Sequence, residues 1–234
     1  MKEEKIPSGT NFNTLLKEDM LWLFTNKCFA HNRRYTEHPQ CFLKEYADRI
    51  GTRESVGFLD IEATNLHADF GYILCYSLKP LDGEIIRKSV TPQDIRSYVF
   101  DLNVMKQFLK DIEPFTRLVG FYSKDYRFDI PFLRTRALKH ELEFPEWRDY
   151  LFTDVYDLSK PKLRLSHNRL QNVCDLFQIP SKQHRMNPDV WQKAMAGSKH
   201  ALDYIQLHCD EDVISLEGVY KKLHMFSRVS KTSM

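Results

Sequence analysis

Asp60 and Glu62 stand two residues apart in the run Val56-Gly57-Phe58-Leu59-Asp60-Ile61-Glu62. On a strand, residues i and i+2 leave the same face, so this run presents two carboxylates side by side in an apolar setting. Two acids on one face of a buried strand need a cation. The spacing alone says little, because 18 Asp and 14 Glu in 234 positions make about one Asp-x-Glu expected by chance. Its weight comes from the apolar residues around it. Helical periodicity places another acid. Between residues 199 and 226 an apolar stripe runs through Leu202, Ile205, Cys209, Leu216, Val219, Tyr220 and Leu223, and Asp212 falls inside it. A carboxylate on a core-facing stripe requires a positive partner, either a Lys or Arg or a metal ion. Asp210 lies roughly 160° around the helix from Asp212 and Glu211 about 100°, which reads both as solvated acids. His208, one turn before Asp212, sits at the stripe's edge.

A second group of ligand-type residues is Cys28-x2-His31-x6-His38-x2-Cys41, two cysteines and two histidines within fourteen residues. Paired knuckles of this kind suit a closed tetrahedral Zn²⁺ site, although the reversed order matches no standard zinc-finger pattern. The other reading is coincidence, with buried cysteines and with exposed histidines beside Arg33 and Arg34. Cys75, Cys174 and Cys209 lie in apolar patterns and read as core residues.

The elements that must hold these groups follow from turn signals. The run 56–62 is a first strand. Residues 70–78 and 85–90 form two more, joined by the turn Leu81-Asp82-Gly83-Glu84. Thr91-Pro92 opens a helix that continues over 102–113, Arg117 to Tyr122 is a short apolar strand, and 128–139 is helical. Leu151 to Val155 is a fifth strand. Ser166 caps a helix with the apolar face Leu170, Val173 and Phe177, Asn187-Pro188 starts another, and 199–226 closes the chain. Three antiparallel strands followed by alternating helices and strands predict an α/β fold, a mixed five-stranded sheet with helices on both sides. The join between an N-terminal extension (1–54) and the main domain (55–226) falls near Gly51, and 227–234 is a tail.

Composition narrows the function classes. At 234 residues, 42% hydrophobic and 28% charged, the chain reads as one globular domain with a small appendage. A net charge of +2 is too small to attract nucleic acid by bulk charge, so any such affinity must come from local clusters. Apolar runs such as Met20 to Phe24 are far shorter than the ~20 residues of a membrane span. The charged start Met1-Lys2-Glu3-Glu4-Lys5 and an odd five cysteines point to the cytoplasm. No glycine-rich phosphate loop or Ser-His-Asp hydrolase elbow is present.

Phe58-Leu59-Asp60-Ile61-Glu62-Ala63-Thr64, Tyr126-Arg127-Phe128-Asp129-Ile130-Pro131-Phe132-Leu133 and His208-Cys209-Asp210-Glu211-Asp212-Val213 together resemble the three motifs of the DEDD 3′-to-5′ exonuclease superfamily. The resemblance runs from about residue 55 to 226 and is nearest to small prokaryotic and phage ribonuclease H-like proteins. It implies a ribonuclease H-like fold and four metal-binding acids, Asp60, Glu62, Asp129 and Asp212, holding two Mg²⁺ or Mn²⁺, with His208 as general base. Two features depart from the superfamily. Its His branch usually places the base five residues before the last Asp, whereas His208 is four before Asp212. The second motif often has an Asn ahead of Phe-Asp, which Gly120 to Lys124 lacks. Other readings stay open: Asp129 as a first-turn helix acid, His208 bonded to a backbone carbonyl, and Asp154 as either a neighbour of the metals or a turn residue.

For the substrate, Arg127, Lys160, Lys162 and Arg164 are candidate phosphate contacts. Arg169, Arg134, Arg136, Lys139, Lys182, His184 and Arg185 extend the basic set, which otherwise decorates solvated helices. The expected activity is a metal-dependent, 3′-to-5′ exonuclease acting on DNA or RNA. The other readings are a structure-specific endonuclease and a catalytically idle nucleic-acid or protein interaction module.

Overall fold

The computed structural model describes residues 17–39, 41–42, 45, 55–146, 149–180, 184 and 186–226. The join near Gly51, Lys182, Arg185 and the tail 227–234 lie outside the described residues. A helix α1 (Lys17–Thr25) precedes the sheet strands β1 (Val56–Ala63), β2 (Ile73–Pro80) and β3 (Ile86–Ser89). Helices α2 (Pro92–Arg96) and α3 (Leu102–Ile112) lead to β4 (Arg117–Gly120), then α4 (Asp129–Lys139) and β5 (Leu151–Asp154). Helices α5 (Val155–Lys162), α6 (Leu170–Phe177), α7 (Pro188–Met195) and the long α8 (Lys199–Leu223) follow, ending in a 3-10 turn at His224–Phe226.

The sheet order is β3-β2-β1-β4-β5. β1 pairs antiparallel with β2 and parallel with β4, and β5 joins β4 in parallel, so the expected mixed five-stranded sheet is what forms. The apolar run of β2, Ile73 to Leu78, is buried throughout, as a central strand covered on both faces must be. One core cluster joins β1 and β2 to α3, α4 and the N-terminal half of α8 through Leu59, Ile61, Phe108, Leu133 and Ile205. A second joins Val56 and Phe58 to β4, α6 and the C-terminal half of α8 through Val119, Val173 and Val213. Helix α8 bridges both clusters and crosses β1 where its acids emerge.

Two expectations about helices are corrected. The helix opened by Thr91 does not run on to residue 113. Thr91 and Asp94 exchange side-chain and backbone bonds in a capping box over the short α2, and the chain breaks at Tyr98 and Phe100, both at positive φ. Asp101, fully buried, spends its carboxylate on the Ile73 N–H, Arg136 and His140, and this anchor sets where α3 restarts. Likewise Ser166 is an exposed bend rather than a cap. Helix α6 begins at Leu170 after an extended Arg169, where the apolar face of Leu170, Val173 and Phe177 meets the core.

Candidate functional site

The C-terminal ends of β1, β4 and β5 lie side by side, and each delivers an acid or the loop that carries one. In β1, Asp60 and Glu62 are the two half-buried positions in a strand otherwise buried. Helix α8 lies directly over them, with the Cys209 thiol 3.4 Å from the carbonyl oxygen of Asp60. One turn apart on α8, His208 and Asp212 both face Glu62. Nε2 of His208 is 3.5 Å from Glu62 Oε1 and 3.8 Å from Asp212 Oδ2. One donor atom from each of the three lies within 4.8 Å of the others.

His208 uses its other nitrogen on the backbone. Nδ1 meets the carbonyl oxygen of His184, which can only accept, so Nδ1 carries a hydrogen and Nε2 is the nitrogen that faces the acids. The carbonyl-bonding and site-facing readings of this histidine are thus both realised in one geometry. The residue that supplies the carbonyl is itself tied to α8, since the His184 N–H and Nδ1 bond the Glu211 carboxylate at 3.1 and 2.7 Å.

Asp129 opens α4 but does not cap it. Its carboxylate is buried and accepts the Ser123 hydroxyl. Burial, then the charge of Asp60, push its carboxyl well above the usual range, with smaller contributions from Asp154 and Asp212, and the Ser123 bond only partly opposes them. Asp129 therefore stands in the electrostatic reach of the β1 and α8 acids. Two buried carboxylate oxygens in this group, Oδ2 of Asp60 and Oδ1 of Asp212, accept no hydrogen bond among the described residues. An all-carboxylate set of this kind suits a hard divalent cation.

The loop between β4 and α4 is organised by Asp154, whose role the sequence left open between the metals and a turn. Its carboxylate accepts the backbone N–H groups of Tyr122, Ser123 and Lys124 at 2.9, 3.0 and 3.2 Å and that of Tyr156 at 3.0 Å. Asp154 thus caps α5 and holds the segment that aims Ser123 at Asp129. The β4–α4 turn needs Gly120 as well: a Cβ there would come within 2.5 Å of Ser123 Oγ.

Several assignments change. Arg127, expected to contact phosphate, is turned inward. Its side chain is 6% exposed, paired with Asp154 and Asp157 and ringed by Tyr122, Tyr126 and Tyr156 at 4.9, 5.1 and 4.6 Å. Arg136 is buried against Asp101, and Arg134 pairs with Asp125 at 2.7 Å. Lys160, Lys162 and Arg164 are exposed at and beyond the C-terminal end of α5, the helix that starts at Asp154. Asp210 is not solvated. It is buried, bonded to Ser77 and Gln206 and paired with Arg87, because this side of α8 packs on the polar residues of β2 and β3. Glu211 is half-buried through its bonds to His184. Sequence reasoning missed Ser123 and left Asp154 out of the site. A carboxylate ending a strand and preceding a helix was the available signal.

Away from the acids, Cys28, His31, His38 and Cys41 converge. Cys28 Sγ is 3.9 Å from His31 Nδ1 and 3.8 Å from His38 Nδ1, and Cys41 Sγ is 3.3 and 3.1 Å from the same two atoms.

Residues 57–224 match the RNase H superfamily. No curated protein matches the chain. Among solved structures, the family B DNA polymerase from the hyperthermophilic archaeon Pyrobaculum calidifontis superposes with a TM-score of 0.56 at 19% identity, over 74% of this chain and 25% of the polymerase. E. coli exonuclease I in complex with a dT13 oligonucleotide gives 0.46 at 14% identity, over 75% of this chain and 41% of that one. Brucella melitensis NrnC bound to pGG gives 0.47 at 17% identity, over 74% and 73%. The chain thus spans about a quarter of the polymerase and about two fifths of exonuclease I, and the polymerase likeness is one of fold. Among the described residues no helix is long and apolar enough to cross a membrane. Because the superfamily match takes in Asp60, Glu62, Asp129, Asp212 and all five strands except for the first residue of β1, the chain belongs to the RNase H superfamily.

Proposed function

We propose that this chain is a metal-dependent nuclease that hydrolyses phosphodiester bonds of DNA or RNA, working as a 3′-to-5′ exonuclease of the DEDD kind. What supports it is the grouping of Glu62, His208 and Asp212 over β1, with Asp129 buried within electrostatic reach of Asp60 and Asp212. Carboxylates grouped in this way repel one another unless cations stand among them. Two Mg²⁺ or Mn²⁺ held there would lower the pKa of an attacking water and stabilise the leaving oxygen.

The chain's own residues supply the rest. His208, its tautomer set by the His184 carbonyl, takes a proton at Nε2 as general base, a role typically worth ~10² to 10⁴ in rate. Its position four residues before Asp212 differs from the His branch of the superfamily, yet one helical turn still carries it to the acids. Ser123 and Asp154 hold Asp129 in place. Lys160, Lys162 and Arg164 are the exposed cations assigned to the phosphate backbone.

The test is a digestion panel of end-labelled single- and double-stranded DNA and RNA with Mg²⁺ or Mn²⁺, with Asp212→Asn and Asp60→Ala as controls. Stepwise release of nucleotides from 3′ ends, lost in both variants, is the expected result. Cleavage of circular substrate would replace the exonuclease reading with an endonuclease. No metal-dependent degradation of any substrate, with both variants indistinguishable from the parent, overturns the catalytic reading.

A further inference from the structure

We propose that Cys28, His31, His38 and Cys41 bind one Zn²⁺ in a closed, structural site that folds the segment ahead of the RNase H domain. This inference is independent of the nuclease reading. In a tetrahedral site with Zn–S near ~2.3 Å and Zn–N near ~2.0 Å, sulfur and nitrogen ligands stand about 3.5 Å apart. The four sulfur–nitrogen separations here, 3.1, 3.3, 3.8 and 3.9 Å, bracket that value. Both histidines offer the same atom, Nδ1, and their rings meet edge to face at 80°, so neither blocks the other's approach to a shared point.

Each ligand pair sits on a tight turn. In the first, the Cys28 N–H bonds the Arg33 carbonyl at 2.7 Å, and the Asn32 N–H bonds the Cys28 carbonyl at 2.9 Å. Lys27 and Arg34 bridge in antiparallel fashion, and Asn32 takes the left-handed conformation at the tip. In the second, the Cys41 N–H bonds the His38 carbonyl at 3.1 Å. Glu45 clamps the two together by accepting the Phe29 and Ala30 N–H groups and the Tyr35 hydroxyl. Such turns and outer bonds orient ligands before a metal arrives.

The energetics of the segment point the same way. Among the described residues its apolar cluster has four buried members, Leu23, Cys28, Tyr35 and Phe42, with Met20, Trp22 and Cys41 packed against them. A unit this small ordinarily needs a metal or disulfide to fold, and a structural Zn²⁺ contributes folding free energy outright. The donor chemistry separates this site from the acidic one. Thiolate and imidazole select Zn²⁺, whereas the carboxylates select harder ions.

Position also separates them. Helix α1, which leads into the cluster, borders one cleft with Phe115, Thr116 and Tyr150, at the N-terminal ends of β4 and β5, and its Lys17 pairs with Glu146 at 2.6 Å. Asp60 and Glu62 end β1 at the opposite side of the sheet, since Val56 is the residue beside Arg117.

The test uses the full chain, reconstituted with Zn²⁺ under reducing conditions and desalted, with metal measured by mass spectrometry and thiols by titration. One Zn²⁺ per chain is expected, released when a mercurial blocks the thiols. Co²⁺ in its place should give the absorption of a tetrahedral thiolate complex. Cys41→Ala and His38→Ala should fall below about a tenth of an equivalent, while His38→Cys, which restores a ligand, should keep the metal. A folded parent chain that retains less than about a tenth of an equivalent overturns the proposal, as does a Cys28–Cys41 disulfide in place of two thiols. Digestion assays on the same samples read the acidic site separately, so failure of one proposal is distinguishable from failure of the other.

Discussion

Arg127→Met tests whether this arginine builds the loop between β4 and α4 or touches substrate. The Arg127 side chain is 6% exposed and the Asp154 side chain 1%, so the substitution leaves a carboxylate buried without its guanidinium. Breaking a buried pair on one side typically costs about 3 to 5 kcal/mol. Asp154 keeps four backbone N–H donors, which places the cost at the lower end, and the half-exposed Asp157 adds at most about 1 kcal/mol. With a urea slope of about 3 kcal/mol/M, the unfolding midpoint should fall by about 1 M. The sign of a second substitution sharpens the test. Asp154→Asn in the Arg127→Met background removes the stranded charge and should recover part of the loss, so the double variant is more stable than Arg127→Met alone. Fluorescence-monitored unfolding reads the stability, and oligonucleotide binding over a range of salt reads the substrate role. A phosphate contact would lower the salt slope by about one, and none should be lost here. An Arg127→Met protein as stable as the parent, binding more weakly with a slope reduced by about one, refutes the argument and returns Arg127 to the phosphate track.

Three further outcomes follow from the same geometry. His208→Ala should lower kcat by about 10² to 10⁴ with KM little changed and flatten the acidic limb of the pH–rate profile; a profile identical to the parent's removes the general-base role. Gly120→Ala should destabilise the fold and depress cleavage together, because its Cβ would come within 2.5 Å of Ser123 Oγ and 3.1 Å of Phe152, and parallel thermal melts and rate measurements check this. Burial alone would raise the Asp101 carboxyl, but bonds from Arg136, the Ile73 N–H and His140 outweigh it and hold it below the usual range. The stability it contributes is therefore present above ~4, its unfolded range, and is lost as pH falls through its lower folded value. Urea midpoints of the parent should drop on acidification more steeply than those of Asp101→Asn, and equal slopes would show that Asp101 is not the group responsible.

Much of this was legible in the chain. The apolar run of β1 with its two acids, the hairpin turn between β2 and β3, and the placement of Asp212 in a core stripe all come from short-period patterns, which are local and strong. The knuckle spacing of Cys28, His31, His38 and Cys41 suggested a metal site and left coincidence open. Boundaries were less secure where a cap residue competed with packing. Ser166 had the chemistry of a cap, yet the core contacts of α6 begin at Leu170. The expected run from Thr91 to residue 113 ignored Asp101, whose carboxylate is drawn to partners on β2 and α4.

The sequence by itself determined the strand and helix periods, and with them the faces of Asp60, Glu62 and Asp212. Tertiary structure decided which polar groups are buried. Gln206, Asp210 and Glu217 recur at helical spacing on α8 and look solvated by type, but that face lies on Ser77, Lys79, Arg87 and Ser89 of β2 and β3. Arg127 looked exposed by type, but Asp154 and three tyrosines enclose it. The tautomer of His208 depends on a carbonyl 24 residues away in the chain. The physical reason is common to all three. Apolar periodicity reports where hydrocarbon meets a core, whereas a buried polar surface is stabilised by partners distant in sequence, and only the folded chain brings those partners together.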